Sequence, residues 1–243
     1  MLLEKTRLME KLDRLPPIDW SRFNEASQLT RSLLQELVAD KETLRILVAR
    51  IEHDPHLLSQ CERHELLERL DIYDARDRGF QLRFNFTTEV QSVRPHDHRY
   101  SFSTYILRGS YRHIWFDPGQ EIYDRSADDT AIHHLDRTNP DHHAQIDFAA
   151  MKPLFITTEQ PGAQYTIHHS CVHATVTTPD SLSLIVKGPG EKNRSLIADR
   201  ASEKVWWRFG RERETPQRIQ RKKMSVDYYR TLRRKLADWE ITQ

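Results

Sequence analysis

Residues 96–109 read HDHRYSFSTYILRG and residues 161–173 read PGAQYTIHHSCVH, and the histidines of these two stretches decide the predicted fold. His96 and His98 stand two positions apart, so in an extended segment their side chains point to the same side, because side-chain direction in a strand repeats every two residues. His173, on a distant strand, would complete a face of three nitrogen ligands on one metal ion. Such a face leaves the other coordination positions open, as a catalytic metal requires.

Composition restricts the class of protein. The chain has 243 residues, a formal net charge of +1 and 30% charged residues, so no bulk charge favours nucleic acid or an acidic membrane surface. Its two cysteines are too few for a disulfide framework or a cysteine-rich zinc site. The charged N-terminus does not resemble a signal peptide, and no apolar run approaches the roughly 20 residues of a membrane span. We therefore expect a cytoplasmic protein, a monomer or homodimer, with small-molecule rather than nucleic-acid or membrane partners.

Residues 1–78 predict an N-terminal helical segment that packs on the rest of the chain. Apolar residues recur at helical spacing over residues 33–51, with Asp40 as a cap in the middle. An Asp-Pro pair at 54–55 ends that helix. Leucines within residues 57–70 then predict a further helical turn or two.

Residues 79–195 predict a β-barrel domain. Between Phe80 and Thr87 polar and apolar side chains alternate, which is typical of a half-buried strand. Turn residues separate several further strand-like runs, and this pattern predicts an antiparallel sandwich or barrel. The predicted strands after the first cover residues 100–107, 110–116, 153–158, 164–169, 172–177 and 181–187.

Residues 196–243 predict a C-terminal hairpin and helix. The hairpin spans residues 196–209 and turns at 201–203. In the helix, residues 225–240, apolar side chains recur at spacing three and four, and Ser225 caps the first turn. The surrounding sequence is rich in lysine and arginine, which predicts a solvated helix face packed on the barrel, with nucleic-acid binding as the alternative.

The two histidine stretches resemble the two motifs of the cupin superfamily. Residues 96–109 are similar to the first motif, a His-x-His followed by a glycine turn. Residues 162–173 are similar to the second, with His168 and Ser170 where proline and glycine are usual. The resemblance implies a mainly β protein, a cupin (double-stranded β-helix or jelly-roll) barrel with N-terminal helices and a C-terminal hairpin plus helix. The metal ligands implied by the resemblance are His96, His98 and His173.

The acidic ligand of many cupins is missing, since Phe102 or Ser103 stands at its position. The remaining set of three histidines resembles that of cysteine dioxygenase and its thiol dioxygenase relatives, and the likeness covers residues 60–117 and 155–190. It implies a mononuclear non-heme iron dioxygenase that uses O2 to oxidise a small amino-acid or thiol-type substrate. On this resemblance we expect Fe(II) as the cofactor, with Zn(II) or Ni(II) as alternatives, because later metals bind such ligand sets more tightly.

The sequence also departs from this family. Ser103 and Ile185 stand where mammalian-type enzymes of the family carry a cross-linked cysteine and tyrosine, and of a Ser-His-Tyr relay only Ser181 is kept. These departures predict a relative with a different substrate or reaction. Two alternatives stay open: a non-oxidative cupin, such as a zinc-dependent lyase or isomerase, and a metal-binding sensor without turnover, for which the basic C-terminal helix is the only support.

Strand direction identifies candidate catalytic residues. If His96 and His98 point into the barrel, a family-like shift near position 102 turns Ser103 and Tyr105 inward. Tyr105 and Tyr165 are then placed to orient a bound oxygen species or to donate a proton. The predicted catalytic residues are Ser103, Tyr105 and Tyr165.

Three residues are candidates for substrate binding. Arg83 shares a strand face with Gln81 and Asn85, and that face points either to solvent or into the barrel. If it points inward, the guanidinium of Arg83 can grip a carboxylate with two hydrogen bonds. Arg69 falls near the position of the carboxylate-binding arginine of the resembled family. His168 stands beside a metal ligand and either lines the pocket or packs behind it.

Two further groups of residues have open roles. A polar insertion at 124–145 holds four histidines and predicts a long surface loop or, alternatively, a lid over the barrel mouth. His113 lies on a predicted strand and faces either way. Cys171 stands two positions before His173, so it points inward with that ligand or is a small buried apolar residue.

Overall fold

The computed structural model describes residues 5–64, 66–88, 94–119, 151–199, 204–210 and 213–243. In this part of the chain the helices before the strands are α1 (Arg7–Arg14), α2 (Phe23–Ala39), α3 (Lys41–Arg50) and α4 (Pro55–Gln60). Helices α5 (Pro216–Lys222) and α6 (Val226–Asp238) follow the last strand. No helix among the described residues is long and apolar enough to cross a membrane.

The described strands form antiparallel sheets. They are β1 (Glu62–Arg63), β2 (Leu67–Ala75), β3 (Phe80–Thr87), β4 (Phe102–Arg108), β5 (Tyr111–Asp117), β6 (Lys152–Glu159), β7 (Gln164–Ile167), β8 (Val172–Thr177), β9 (Leu182–Lys187), β10 (Arg194–Asp199) and β11 (Lys204–Phe209). The first sheet has the order β1-β2-β3-β9-β4-β7. A second group has the order β6-β5-β8, and β10 pairs with β11 in a hairpin.

His96 joins the second group of strands to the hairpin. The His96 N–H donates to the carbonyl of His173 (2.8 Å), and the His173 N–H donates to the carbonyl of His96 (2.9 Å). His96 also bridges Ile197 on β10, so the second sheet continues from β8 through residue 96 into the hairpin. The two sheets face each other, and the Tyr111 hydroxyl on one donates to Ser183 Oγ on the other at 3.2 Å. The chain therefore has the predicted architecture, a mainly β cupin barrel with N-terminal helices and a C-terminal hairpin plus helix.

The glycine turn of the first motif connects β4 to β5. Gly109 has a φ of +73°, a backbone conformation that residues with a Cβ atom rarely adopt. A Cβ at this position would also lie 2.1 Å from Oγ of Ser181, at the start of β9. Both the backbone conformation and the neighbouring residue therefore require glycine here.

The helices cover the outer face of the first sheet and form the main apolar core with it. Leu34 and Leu37 of α2 and Leu47 of α3 are fully buried in one cluster with Phe84 and Leu184 of the sheet. Each such leucine stabilises the fold by about 1.5–3 kcal/mol relative to an exposed position. Since this face of the sheet packs against the helices, side chains on the opposite face point into the barrel.

Helix α6 packs on the same layer, as its apolar stripe predicts. The hydroxyl of Ser225 accepts a backbone N–H of the first turn at 3.2 Å, which confirms the cap. Tyr229, Leu232 and Leu236 are buried, and the Tyr229 hydroxyl donates to the carbonyl of Val48 at 2.7 Å. The stripe therefore anchors the C-terminal helix to the N-terminal helices.

Most of the predicted boundaries agree with the structure. Asp40 caps α3, where its side chain accepts the Thr43 N–H at 2.9 Å, and Asp54 caps α4 just before Pro55. The six strands predicted after the first are all present, with ends within two residues of those expected. The insertion at 124–145 and the hairpin turn at 201–203 lie outside the described residues.

The prediction of a further helical turn or two within residues 57–70 holds as far as Gln60 and is wrong beyond it, because strands β1 and β2 follow. Leu70 and Ile72 are buried in the core beneath the helices, whereas Arg69 and Asp71 point into the barrel, so the true period is two. The helical spacing of the leucines in this stretch is a coincidence. They lie on a strand whose opposite face is charged. The first sheet therefore begins before residue 79.

His64, between β1 and β2, is a neutral, partly buried histidine. Its Nδ1 accepts the Leu66 N–H at 3.4 Å, which requires a lone pair on that nitrogen. Burial lowers the pKa of His64 to about 4, and the nearby cations Arg69, Arg208 and Lys222 add to this effect. In the unfolded chain a histidine titrates near its ordinary pKa of about 6.5. Below that pH the unfolded state therefore binds a proton that the native state does not.

We expect the free energy of unfolding to fall as the pH is lowered from 6.5 towards 4, and His64→Asn to remove about 2 kcal/mol of that fall. The Oδ1 of asparagine keeps the hydrogen bond to the backbone but does not titrate. Urea unfolding of both proteins at pH 7 and pH 4 measures the difference. Parallel pH profiles for the two proteins would contradict this prediction.

Candidate metal centre

Three imidazoles meet inside the barrel. His96 and His98 lie in the segment before β4, and His173 lies on β8. Their ring centroids are 5.0 Å (His96–His98), 4.8 Å (His96–His173) and 5.1 Å (His98–His173) apart. One ligand nitrogen from each ring lies within 4.8 Å of the others. The structure thus brings together the three residues that the sequence motifs identify.

The contacts around these rings are compatible with a metal ion between them. Nδ1 of His96 lies 2.8 Å from the carbonyl of Arg94 and must donate to it, so Nε2 carries the lone pair. Nε2 of His98 and Nε2 of His173 lie 2.8 Å apart. Two imidazoles bound at right angles to one divalent ion, with metal–nitrogen distances of about 2.0–2.1 Å, have nitrogens about 2.9 Å apart. The residues therefore fit a single divalent ion.

Electrostatics keep the three rings neutral. Burial lowers the pKa of His96, and it lowers the pKa values of His98 and His173 well below the ordinary range. The mutual proximity of the rings lowers the pKa values of His98 and His173 further, since protonation of one would repel protonation of the next. At neutral pH the lone pairs are therefore available to a metal.

His113 is a functional candidate whose direction the sequence leaves open. The structure places it inside the barrel, where its Nδ1 lies 2.9 Å from Nδ1 of His173 and its ring stacks on that ring at 16°. Burial lowers the pKa of His113 to about 4. When Nε2 of His173 binds a metal, its Nδ1–H donates to His113, which fixes the proton and the ring orientation. His113 points inward because β5 pairs with β8 in a register that sets Trp115 opposite His173. This pairing joins strands that are far apart in the sequence.

Asp97, between the first two ligands, points the opposite way and is not a ligand. Its Oδ1 accepts the Leu196 N–H at 2.7 Å, and its other oxygen pairs with Lys192. Burial raises the pKa of this carboxyl to about 6, even though Lys192 acts in the other direction. Asp97 thus ties β10 to the segment that carries the ligands.

The barrel wall next to the histidines is rich in cations. Arg83 forms a two-armed ion pair with Asp71, with nitrogen–oxygen distances of 2.9–3.1 Å. Lys187 Nζ lies 4.4 Å from the ring centroid of Tyr100 and donates to Gln81 at 2.9 Å. The polar face of β3 therefore points into the barrel, the second of the two directions that the sequence leaves open.

These cations change the titration of their neighbours. Burial raises the pKa of Tyr100, but Arg69, Arg83 and Lys187 outweigh it, so the net shift is downward. Burial, together with Arg83, lowers the pKa of Lys187 to about 8. Burial, together with Arg69, lowers the pKa of Arg208 to about 10. Among the described residues, the wall therefore carries more positive charge than its carboxylates neutralise.

The expected inward direction of Ser103 and Tyr105 is wrong. The Ser103 hydroxyl lies 2.7 Å from the Thr30 hydroxyl of α2, and Tyr105 packs against the core beneath the helices. The shift expected near position 102 does not occur: a bend lies at residues 99–100, but the side-chain directions still alternate from the ligands into β4. Phe102 is the inward residue instead, with its ring centroid 4.8 Å from that of His98.

The other predicted site residues lie at different distances from the metal centre. Tyr165 is inside the barrel, with its ring centroid 4.8 Å from that of His113. His168 instead packs against Phe23 of α2, at 5.1 Å between ring centroids, and its Nδ1 lies 2.7 Å from the Ser170 hydroxyl. Among the substrate-binding candidates, Arg69 and Arg83 therefore face the interior, whereas His168 contacts the helix layer.

A scan against family models and a search of curated proteins each gave no match to this chain. Among solved structures, the chain is similar to the polyketide cyclase RemF from Streptomyces resistomycificus, with 16% identity, a TM-score of 0.32 and coverage of 72% of this chain and 83% of that one. It is similar to KdgF from Halomonas sp., with 13% identity, a TM-score of 0.30 and coverage of 53% and 86%. It is also similar to Fe(II)-HppE, with 12% identity, a TM-score of 0.32 and coverage of 52% and 51%. Similarities of this size transfer no activity to the chain.

We expect His113→Phe to weaken divalent-metal binding by about 10- to 100-fold, because His173 loses the group that orients it. Phenylalanine keeps the stacked ring, so the change tests the hydrogen bond rather than the packing. Competition with a chelator, using Zn(II) at pH 7, measures the affinity.

A suitable control is His56→Ala, which removes a surface histidine paired with Asp74, among the outer helices. It should leave the affinity unchanged. A natively folded His113→Phe protein with wild-type affinity would rule out this role.

Proposed function

We propose that the protein is a mononuclear non-heme iron dioxygenase of the cysteine dioxygenase-like group, which uses O2 to oxidise a small amino-acid or thiol-type substrate. The observation that carries the proposal is the convergence of three neutral imidazoles beside a cationic wall. Within the described residues, no carboxylate joins these three rings in the ligand cluster. The ligand set and the wall together define a site for an anionic substrate.

His96, His98 and His173 would hold the ion. When bound, Fe(II) supplies Lewis acidity and redox chemistry, and three neutral ligands leave its charge uncompensated and further coordination positions open. The fit rests on the lone pair of His96 Nε2 and on the 2.8 Å separation of Nε2 of His98 from Nε2 of His173.

We assign the anionic group of the substrate to Arg69. Arg83 is occupied by Asp71 through both arms of its guanidinium, whereas Arg69 makes a single ion pair within the described part of the chain, with Glu62 at 3.0 Å. Arg69 also lies near the ligands, since it adds to the lowering of the pKa of His98 that burial begins. A carboxylate bound to Arg69 would gain a charge-assisted hydrogen bond in a site with excess positive charge.

We assign proton transfer to Tyr100 rather than to Tyr105 or Tyr165. The Tyr100 ring lies 6.1 Å from the His98 ring between centroids, on the inward side of the same segment. Its pKa is lowered by the surrounding cations, whereas burial raises the pKa of Tyr165. A phenol with a lowered pKa donates a proton more readily near neutral pH.

The proposal predicts O2 uptake by the reconstituted protein. Apo protein is loaded anaerobically with Fe(II), Zn(II) or Ni(II), and O2 consumption is followed with a panel of thiols and amino acids. We expect uptake only with Fe(II), and only with substrates that carry a carboxylate. A protein that purifies with zinc and consumes no O2 with any member of the panel would refute the oxidative function and favour a non-oxidative zinc lyase or isomerase.

Arg69→Met is expected to raise KM for such a substrate by about 10- to 100-fold, since a hydrogen bond to a charged group contributes about 1.5–3 kcal/mol. Metal content should stay the same, because Arg69 does not bind the ion. Steady-state O2 uptake and metal analysis provide both readouts.

Arg45→Met is the matched control, since Arg45 is a surface residue of α3 paired with Glu42. It should leave KM unchanged. An equal rise in KM for both variants, or none for Arg69→Met, would exclude Arg69 as the carboxylate-binding residue.

A further inference from the structure

A second cluster of metal-binding side chains lies outside the His96/His98/His173 centre. It consists of His168 and His169, in the turn after β7, and Glu191, in the loop after β9. One ligand atom from each of the three lies within 4.8 Å of the others. None of the three has a role in the proposed reaction.

Within the cluster, a buried nitrogen of His169 lies close to a Glu191 oxygen and makes no well-directed hydrogen bond. Nδ1 of His169 lies 3.0 Å from Oε2 of Glu191. No hydrogen bond of acceptable direction reaches that nitrogen from any described residue. The rings of His168 and His169 lie 4.0 Å apart between centroids.

The surroundings hold two of the three side chains in place. Oε1 of Glu191 accepts the Ser101 N–H at 2.7 Å, so the carboxylate is fixed by one oxygen while the other faces His169. Nδ1 of His168 lies 2.7 Å from the Ser170 hydroxyl and accepts the Ser170 N–H at 3.3 Å, so a metal on Nε2 would move the ring proton to Nδ1, which would then donate to that hydroxyl. Outer partners of this kind are typical of metal ligands.

We propose that His168, His169 and Glu191 form a second divalent-metal site, distinct from the His96/His98/His173 centre, and that it takes Zn(II). Two imidazole nitrogens and one carboxylate oxygen are donors that Zn(II) prefers, with distances of about 2.0–2.2 Å, and a water completes the tetrahedron. Small side-chain rotations bring donors within 4.8 Å to such distances. His169 and Glu191 are 23% and 18% exposed, which admits that water.

The proposed second site joins two loops that flank the segment carrying His96 and His98. The His98 N–H donates to the carbonyl of His169 at 3.2 Å, and the Glu191 N–H donates to the carbonyl of Arg99 at 2.8 Å. A metal that links His169 to Glu191 therefore holds both loops against the backbone of a ligand of the first site. Its role is structural, because it shares no side chain with the His96/His98/His173 centre.

The test counts Zn(II) equivalents in the full chain after chelator treatment and Zn(II) reloading. We expect Glu191→Gln to lose one equivalent relative to wild type, and His98→Ala to lose a different one, so that the double variant loses two. The readout is the difference in Zn(II) equivalents between variants rather than the absolute count, because the chain carries 13 histidines in all. Glutamine keeps the acceptor for Ser101, and Glu42→Gln on α3 is the matched control, expected to lose none.

A mutation-free measurement accompanies the count. Zn(II) should protect His168 and His169 of the wild-type chain from diethylpyrocarbonate, read residue by residue by mass spectrometry, at least tenfold relative to the apo protein. An unchanged count in natively folded Glu191→Gln, or equal modification of both histidines with and without Zn(II), would overturn the second site. Neither readout depends on O2 uptake, so failure of the proposed oxidation leaves this result intact.

Discussion

The antiparallel backbone pair between His96 and His173 is the interaction on which the metal centre and the barrel both depend. Its two hydrogen bonds, 2.8 and 2.9 Å long, join segments from the two motifs, and residues opposite each other in such a pair point to the same side. Both imidazoles therefore enter the barrel together. Through Ile197, the same residue closes the second sheet onto the hairpin. A register slip of one residue would turn His96 outward and open the sheet, so the ligand set cannot change independently of the fold.

The charge inside the barrel explains why a three-histidine set suits this chain. Lys187 and Arg208 have pKa values lowered to about 8 and 10, first by burial and then by neighbouring arginines. A divalent ion held by neutral rings would add two more positive charges beside them. In many metal sites a carboxylate ligand offsets part of that charge, but position 102 or 103 supplies none here. Under the proposed function, the missing acid and the cationic wall have one consequence, since the balancing negative charge would come from the substrate.

Local patterns predict the ligands and most of the barrel because both depend on side-chain direction along single strands. They fail at β2, where leucines recur at helical spacing and the charged face, with Arg69 and Asp71, is buried instead of solvent-exposed. They fail at Ser103 and Tyr105, because the family's register shift is absent and alternation simply continues. The inward direction of His113 and the cationic wall depend on which distant strands pair and in what register. No pattern within one segment contains that information.

Residues 96–101 show how one extended segment serves both sides of the barrel wall. Even-numbered side chains face the metal centre, while Asp97 accepts the Leu196 N–H and the Ser101 hydroxyl accepts the His169 N–H on the outer side. Because the period of a strand is two, ligands and supports alternate without extra residues. These outer hydrogen bonds fix the backbone of the segment that carries His96 and His98. A shift of the outer loops therefore moves the imidazole nitrogens inside the barrel through a single peptide unit. A metal bound outside would therefore act on the centre inside through hydrogen bonds, without sharing a ligand with it.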